Sequence, residues 1–126
     1  MSLETPLHKV EGLGAAHSGV LHFWRQRISA AVLVPLSLWF AWACLGLVGA
    51  NEAQTLTFLA QPLNALLMAA FVVILLYHMV LGLQVVIDDY VESNGQKVFL
   101  MLLVRTFGIA VGAVSLFALL RIAGPV

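Results

Sequence analysis

Three long apolar runs limit the fold of this chain more than any other feature. The first extends from about Ile28 to Ala50 without an Asp, Glu, Lys, Arg or His, the second from Pro62 to Ile87, and the third from Val98 to Leu120. A helix needs about 20 apolar residues to cross a hydrocarbon core about 30 Å thick. Each run is long enough. An open sheet edge in lipid leaves backbone N–H and C=O groups unpaired, so each run is expected to be helical. Composition agrees: 62% of the 126 residues are hydrophobic and 10% are charged, where a soluble domain has about 25% charged residues. The expected fold is all-α, an integral membrane protein with three transmembrane helices over about 28–50, 62–87 and 98–120. Pro62 suits the first turn of the second helix, where its missing N–H has no intrahelical partner to lose. The polar stretches NEAQTLTFLAQ and DDYVESNGQK are read as the loops between spans.

The basic residues set an orientation. Lys9, Arg25 and Arg27 precede the first span, Lys97 sits in the second loop and Arg105 lies early in the third span, whereas the first loop has no Lys or Arg and the tail has only Arg121. Positive charge is retained on the cytoplasmic side. The N-terminus and the Asp88–Lys97 loop are therefore expected on the cytoplasmic side and the C-terminus on the opposite, periplasmic side. Residues 1–24 read as a cytoplasmic arm and 25–126 as the three-helix anchor domain, with Trp24 at interface depth.

Several functions are excluded. A net charge of zero gives no footprint for nucleic acid. The single cysteine, Cys44, rules out an internal disulfide, a CxxC pair and an all-cysteine cluster site within this chain. The N-terminal MSLETPLHKVEGLG lacks the apolar core of a secretory signal peptide. No flavin motif, cluster ligands or dicarboxylate site is present, so no residue is assigned as catalytic.

The chemistry is expected in LLYHMVLGLQVVIDDYVE, residues 75–92, an apolar segment with an internal histidine and two acids at its exit. His78 lies ten residues before Asp88, which at 1.5 Å per residue is about 15 Å deep. Ionisable groups at that depth are costly and mark binding or relay sites; a histidine bonded to a neighbouring helix is the plainer alternative. Gly82 follows one turn later on the same face. It either leaves room for a flat macrocycle on the imidazole or permits close helix packing. Asp89 continues that face and is expected to point into the bundle and need a partner there. Asp88 reads as the start of a solvated loop, and Tyr90 as an interfacial tyrosine or a hydrogen-bond donor. Arg25 and Arg27 either set topology or meet an anion. Arg105 either snorkels outward or pairs inside. Gly108 and Gly112 form a GxxxG packing face.

The motif His78-Met-Val-Leu-Gly82 through Asp89-Tyr90 resembles the second-helix signature of the small membrane-anchor subunit of succinate dehydrogenase, respiratory complex II. The stretch SGVLHFWRQRISAAVLVPL resembles the start of that family's first helix. The resemblance implies that His78 is one axial ligand of a b-type haem shared with a larger membrane-anchor subunit, which supplies the other ligand. It implies that Tyr90 hydrogen-bonds a ubiquinone carbonyl, that Asp89 supports that quinone site, and that Arg27, with Arg25 beside it, meets the haem propionates. Gly82 would then pack on the haem face. Electrons would come from succinate through flavoprotein and iron–sulfur partner subunits. No role carries over to Asp88, His17 or His22. A quinol:fumarate reductase anchor, a small transport protein and a purely structural anchor are the alternatives.

Overall fold

A computed structural model of the chain describes residues 18–124. Four helices and no strand occur among them: α1 (Ser18–Gly46), α2 (Glu52–Ala60), α3 (Pro62–Tyr90) and α4 (Asn94–Ala123). Three of them, α1, α3 and α4, are long and apolar enough to cross a membrane. The expectation of three membrane helices holds.

The helix ends differ from the expected spans for local reasons. Helix α1 starts at Ser18, inside the stretch read as the arm, because hydropathy marks the lipid-embedded part and the helix continues past it. It stops at Gly46 rather than Ala50: residues 47–49 turn, and Gly49 takes φ +80°, which only glycine adopts without penalty. Residues 1–17, including Lys9 and His17, lie outside the described residues.

Part of the first polar stretch is a helix rather than a loop. Asn51 caps α2: its Oδ1 accepts from the Gln54 backbone N–H at 2.9 Å, and the Gln54 Oε1 accepts from the Asn51 N–H at 2.9 Å. This reciprocal capping box satisfies two of the first-turn donors. Asn64, buried in α3, donates from Nδ2 to the Phe58 carbonyl at 3.0 Å and to Gln61 Oε1 at 3.1 Å, tying α2 to α3. Helix α3 opens on Pro62 as expected.

Helix α3 is central, packed on one side by α1 and on the other by α4. The apolar core of the α1–α3 seam is Leu33, Leu36 and Phe71, with Phe40 stacked on Phe71 at 4.6 Å between ring centroids. The α3–α4 seam closes on glycine. A Cβ at Gly108 would stand 2.8 Å from Val80 Cγ2, and one at Gly112 would stand 3.4 Å from Leu76 Cδ1. The GxxxG is thus a packing face, as expected. Most other large apolar side chains are exposed, which in water would be untenable and in lipid carries no penalty.

Candidate functional site

The α1–α3 seam carries a polar cluster at the end where α1 begins and α3 finishes. His78, half-buried, places Nδ1 2.9 Å from the Oγ of Ser29, which is itself buried. Ser29 Oγ also donates to the Gln26 carbonyl at 2.9 Å. Gln26 lies one turn nearer the α1 N-terminus and rests against Gly82, where an added Cβ would meet Gln26 Nε2 at an ordinary 3.5 Å. His22 continues the same face of α1. Its Nε2 and the Gln26 Oε1 are buried without a hydrogen-bond partner among the described residues. Such orphans cost about 1–3 kcal/mol each. They mark a place where a ligand or an ordered water has polar atoms to satisfy.

Interhelical hydrogen bonds in membrane proteins contribute only about 0.6 kcal/mol on average. The Ser29–His78 bond is therefore too weak to decide whether α1 and α3 pack. Its effect falls on the imidazole, which it holds in one rotation. The second ring nitrogen, Nε2, has no partner among the described residues and is not among the polar atoms sealed inside the chain.

The two arginines diverge. Arg27 lies with its guanidinium 5.1 Å from the Phe23 ring centroid, a cation–π contact along the helix surface. Arg25 lines a groove of about 290 Å³ with Ile28, Ser29, Val32, Ile74 and Tyr77. Two residues apart on a helix, they point about 200° apart; the one beside the Ser29 cluster is Arg25.

Asp89 departs from expectation. It is exposed and makes no ion pair or hydrogen bond among the described residues. The register gives the reason. Gln26 sits against Gly82 in an antiparallel pair, so Asp89, seven residues beyond Gly82, comes level with Gly19, seven residues before Gln26. A Cβ at Gly19 would meet nothing within 4 Å, so α1 has no bulk there to cover the carboxylate. Asp88 is the acid that finds a partner. Lys97 Nζ donates to the Asp88 carbonyl at 2.9 Å and lies 3.9 Å from its carboxylate. This clasp joins α3 to α4 and sets a cation at the negative end of α3. Tyr90 closes α3 and is 83% exposed.

Arg105 is exposed but turns its guanidinium onto the buried Gln84. With the Gln84 amide oriented so that its oxygen faces the guanidinium, Oε1 accepts from Nε at 2.7 Å and Nη2 at 3.1 Å. This is the only orientation in which donors meet an acceptor. Among the described residues no group of three or more His, Cys, Asp or Glu could hold a metal ion. A metal at this cluster would need further ligands from outside these residues. Sequence reasoning missed Ser29, Gln26 and Gln84. The signal was present as isolated polar residues in apolar surroundings, but nothing in the sequence says which helix each one faces.

Comparison with known proteins adds an independent line. Residues 1–120 match the family model described as succinate dehydrogenase/fumarate reductase transmembrane subunit. The chain is 35% identical to the succinate dehydrogenase hydrophobic membrane anchor subunit of Paracoccus denitrificans, over 93% of this chain and 90% of that one. It is 36% identical to the subunit of the same name from Rickettsia bellii, over 80% and 81%. It is 30% identical to the succinate dehydrogenase membrane anchor subunit of Reclinomonas americana, over 75% and 81%. No solved structure matches the chain significantly.

Proposed function

The chain belongs to the succinate dehydrogenase/fumarate reductase transmembrane subunit family, and from that premise we propose that it anchors a succinate:quinone oxidoreductase, holding haem b jointly with a larger anchor subunit and shaping the ubiquinone reduction site. The observation that carries this reading is the state of His78. One ring nitrogen is engaged by Ser29 and the other has no partner among the described residues, which is the arrangement an imidazole needs to ligate iron. His78 alone would hold the group by one bond, and a second ligand would have to come from the partner anchor. Of the two arginines read as propionate contacts, Arg25 stands on the Ser29 side and would supply positive charge there, whereas Arg27 faces away along Phe23. A haem held there supplies a one-electron store close to the quinone.

Tyr90 and Asp89 are read as the quinone-site residues. Their exposure in the isolated chain suits residues that a partner subunit or a substrate covers. Tyr90 would donate a hydrogen bond from its hydroxyl to a quinone carbonyl, and Asp89 would offer an acceptor one residue away. Succinate oxidation belongs to the flavoprotein and iron–sulfur partners, which deliver electrons on the cytoplasmic face. Lys97, Arg25 and Arg27 all fall at that end of the bundle. A reporter active only in the cytoplasm is expected to work within Ser93–Gln96 and to fail after Val126; the reverse pattern overturns the orientation and puts the quinone site on the wrong side of the inner membrane.

The decisive experiment is a reduced-minus-oxidised spectrum of the purified complex, wild type beside His78→Ala. A b-type band in the first and its loss in the second, with both anchors still inserted, is the expected result. An unchanged band in the variant removes His78 as the ligand. A quinol:fumarate reductase anchor is the second reading, favoured by a family description that names both enzymes. The ratio of succinate oxidation to fumarate reduction by the same complex separates the two.

A further inference from the structure

We propose that Ser29 is the positioning residue for His78: it keeps the imidazole proton on Nδ1 and so keeps the Nε2 lone pair free for iron. The inference rests on the haem reading above and adds the residue that sets the state of the ligand.

The argument is a count of protons. Ser29 Oγ stands 2.9 Å from the Gln26 carbonyl oxygen and 2.9 Å from His78 Nδ1, and a hydroxyl has one proton to give. If that proton pointed at Nδ1, two oxygen atoms would face each other at 2.9 Å with no hydrogen between them. The hydroxyl therefore donates to the carbonyl of its own helix, and its lone pair accepts from His78. The imidazole proton is on Nδ1, and Nε2 keeps its lone pair.

The surroundings hold the arrangement in place. Ser29 is buried between α1 and α3, so water does not compete for its oxygen. The bond to the Gln26 carbonyl, three residues back, fixes the hydroxyl rotamer. A neutral histidine otherwise divides its proton between the two nitrogens, and the form protonated on Nε2 cannot bind a metal there. Donation from Nδ1 also leaves the ring richer in electrons and makes it a stronger ligand for the ferric ion.

The test uses the whole complex with Ser29→Ala and Ser29→Thr. Alanine removes the acceptor and leaves the Gln26 carbonyl in its ordinary helical bond; threonine keeps the hydroxyl. Two readouts apart from turnover are taken: the haem midpoint potential by redox titration, and the rate of haem transfer to excess apomyoglobin. Ser29→Ala is expected to raise the potential and speed haem loss by about tenfold or more, the usual consequence of removing a group that orients a metal ligand. Ser29→Thr is expected to restore both toward wild type. A Ser29→Ala complex with unchanged potential and release rate overturns the proposal. Equal shifts in both variants overturn it too, by assigning the effect to packing. A wild-type complex without a b-type band, or a His78→Ala complex that keeps one, overturns the haem reading itself and is told apart by that control.

Discussion

The α1–α3 seam and the α3–α4 seam join helices of the same greasy kind, yet they are closed by different means. In lipid there is no hydrophobic drive to bring helices together, so close packing and interhelical hydrogen bonds must do it. The α3–α4 seam relies on close approach, with Gly108 and Gly112 beneath Val80 and Leu76, and its charged groups are partnered: Arg105 by Gln84, Lys97 by Asp88. The α1–α3 seam has an apolar half around Phe71 and a polar half around His78. In that polar half His22 Nε2 and Gln26 Oε1 are left without partners. A seam that only holds helices together has no reason to bury polar atoms it does not satisfy. The difference sets a seam whose charged groups are partnered beside one that buries two polar atoms without partners among the described residues.

The comparison breaks most visibly at its glycines. Gly108→Ala puts a methyl 2.8 Å from Val80 Cγ2, so the stiff, branched Val80 side chain or the helix that carries it must shift. Overpacking of this kind costs about 1–3 kcal/mol. Loss of the anchor from the detergent-solubilised complex at lower temperature than wild type is the expected result, with the haem band intact until the complex falls apart. Equal thermal stability would mean that the α3–α4 seam is looser than the glycines imply.

Tyr90→Phe probes the end of α3 beyond the reach of either seam. It removes one hydroxyl from a side chain that is 83% exposed in this chain, so the fold should not respond. A hydrogen bond to quinone is worth about 0.5–1.5 kcal/mol, and more where the partner oxygen is left buried and unpaired. Ubiquinone reduction should then drop by about tenfold, the equivalent of roughly 1.4 kcal/mol. Succinate oxidation with an artificial acceptor that draws on the soluble subunits should be unchanged. Equal rates with both acceptors would leave Tyr90 an interfacial anchor.

Gly82→Ala is expected to do least. Its added methyl meets Gln26 Nε2 at an ordinary 3.5 Å, and alanine favours the helix over glycine by about 0.5–1 kcal/mol. Stability within about 1 kcal/mol of wild type and an unshifted haem spectrum would mark Gly82 as part of the α1 contact. A shifted spectrum at unchanged stability would instead put the glycine against the haem. The two glycine variants, measured side by side, test whether the seams differ as described.

How much of this was legible beforehand can be read residue by residue. The capping box at Asn51 and Gln54 was written in the sequence as a polar residue followed three positions later by a glutamine, and it makes a helix of part of what reads as a loop. That His78 lies well inside α3 was legible because position along a helix is a count of residues. The exposure of Asp89 was not. Its helical face points toward α1, but which α1 residue stands level with it, here Gly19 with no side chain to cover it, depends on the register between two helices.

The sequence by itself determined the three spans and the Pro62 start of α3, because the free energy of transferring a segment into lipid adds along the chain and needs no knowledge of neighbours. Tertiary structure alone decided that Ser29 meets His78, that Gln84 rather than a carboxylate receives Arg105, and that Gly82 lies against Gln26. Those pairings follow from the rotation and register of each helix against the next. Uniform hydropathy leaves both undetermined, and the packing of small residues and a few hydrogen bonds sets them.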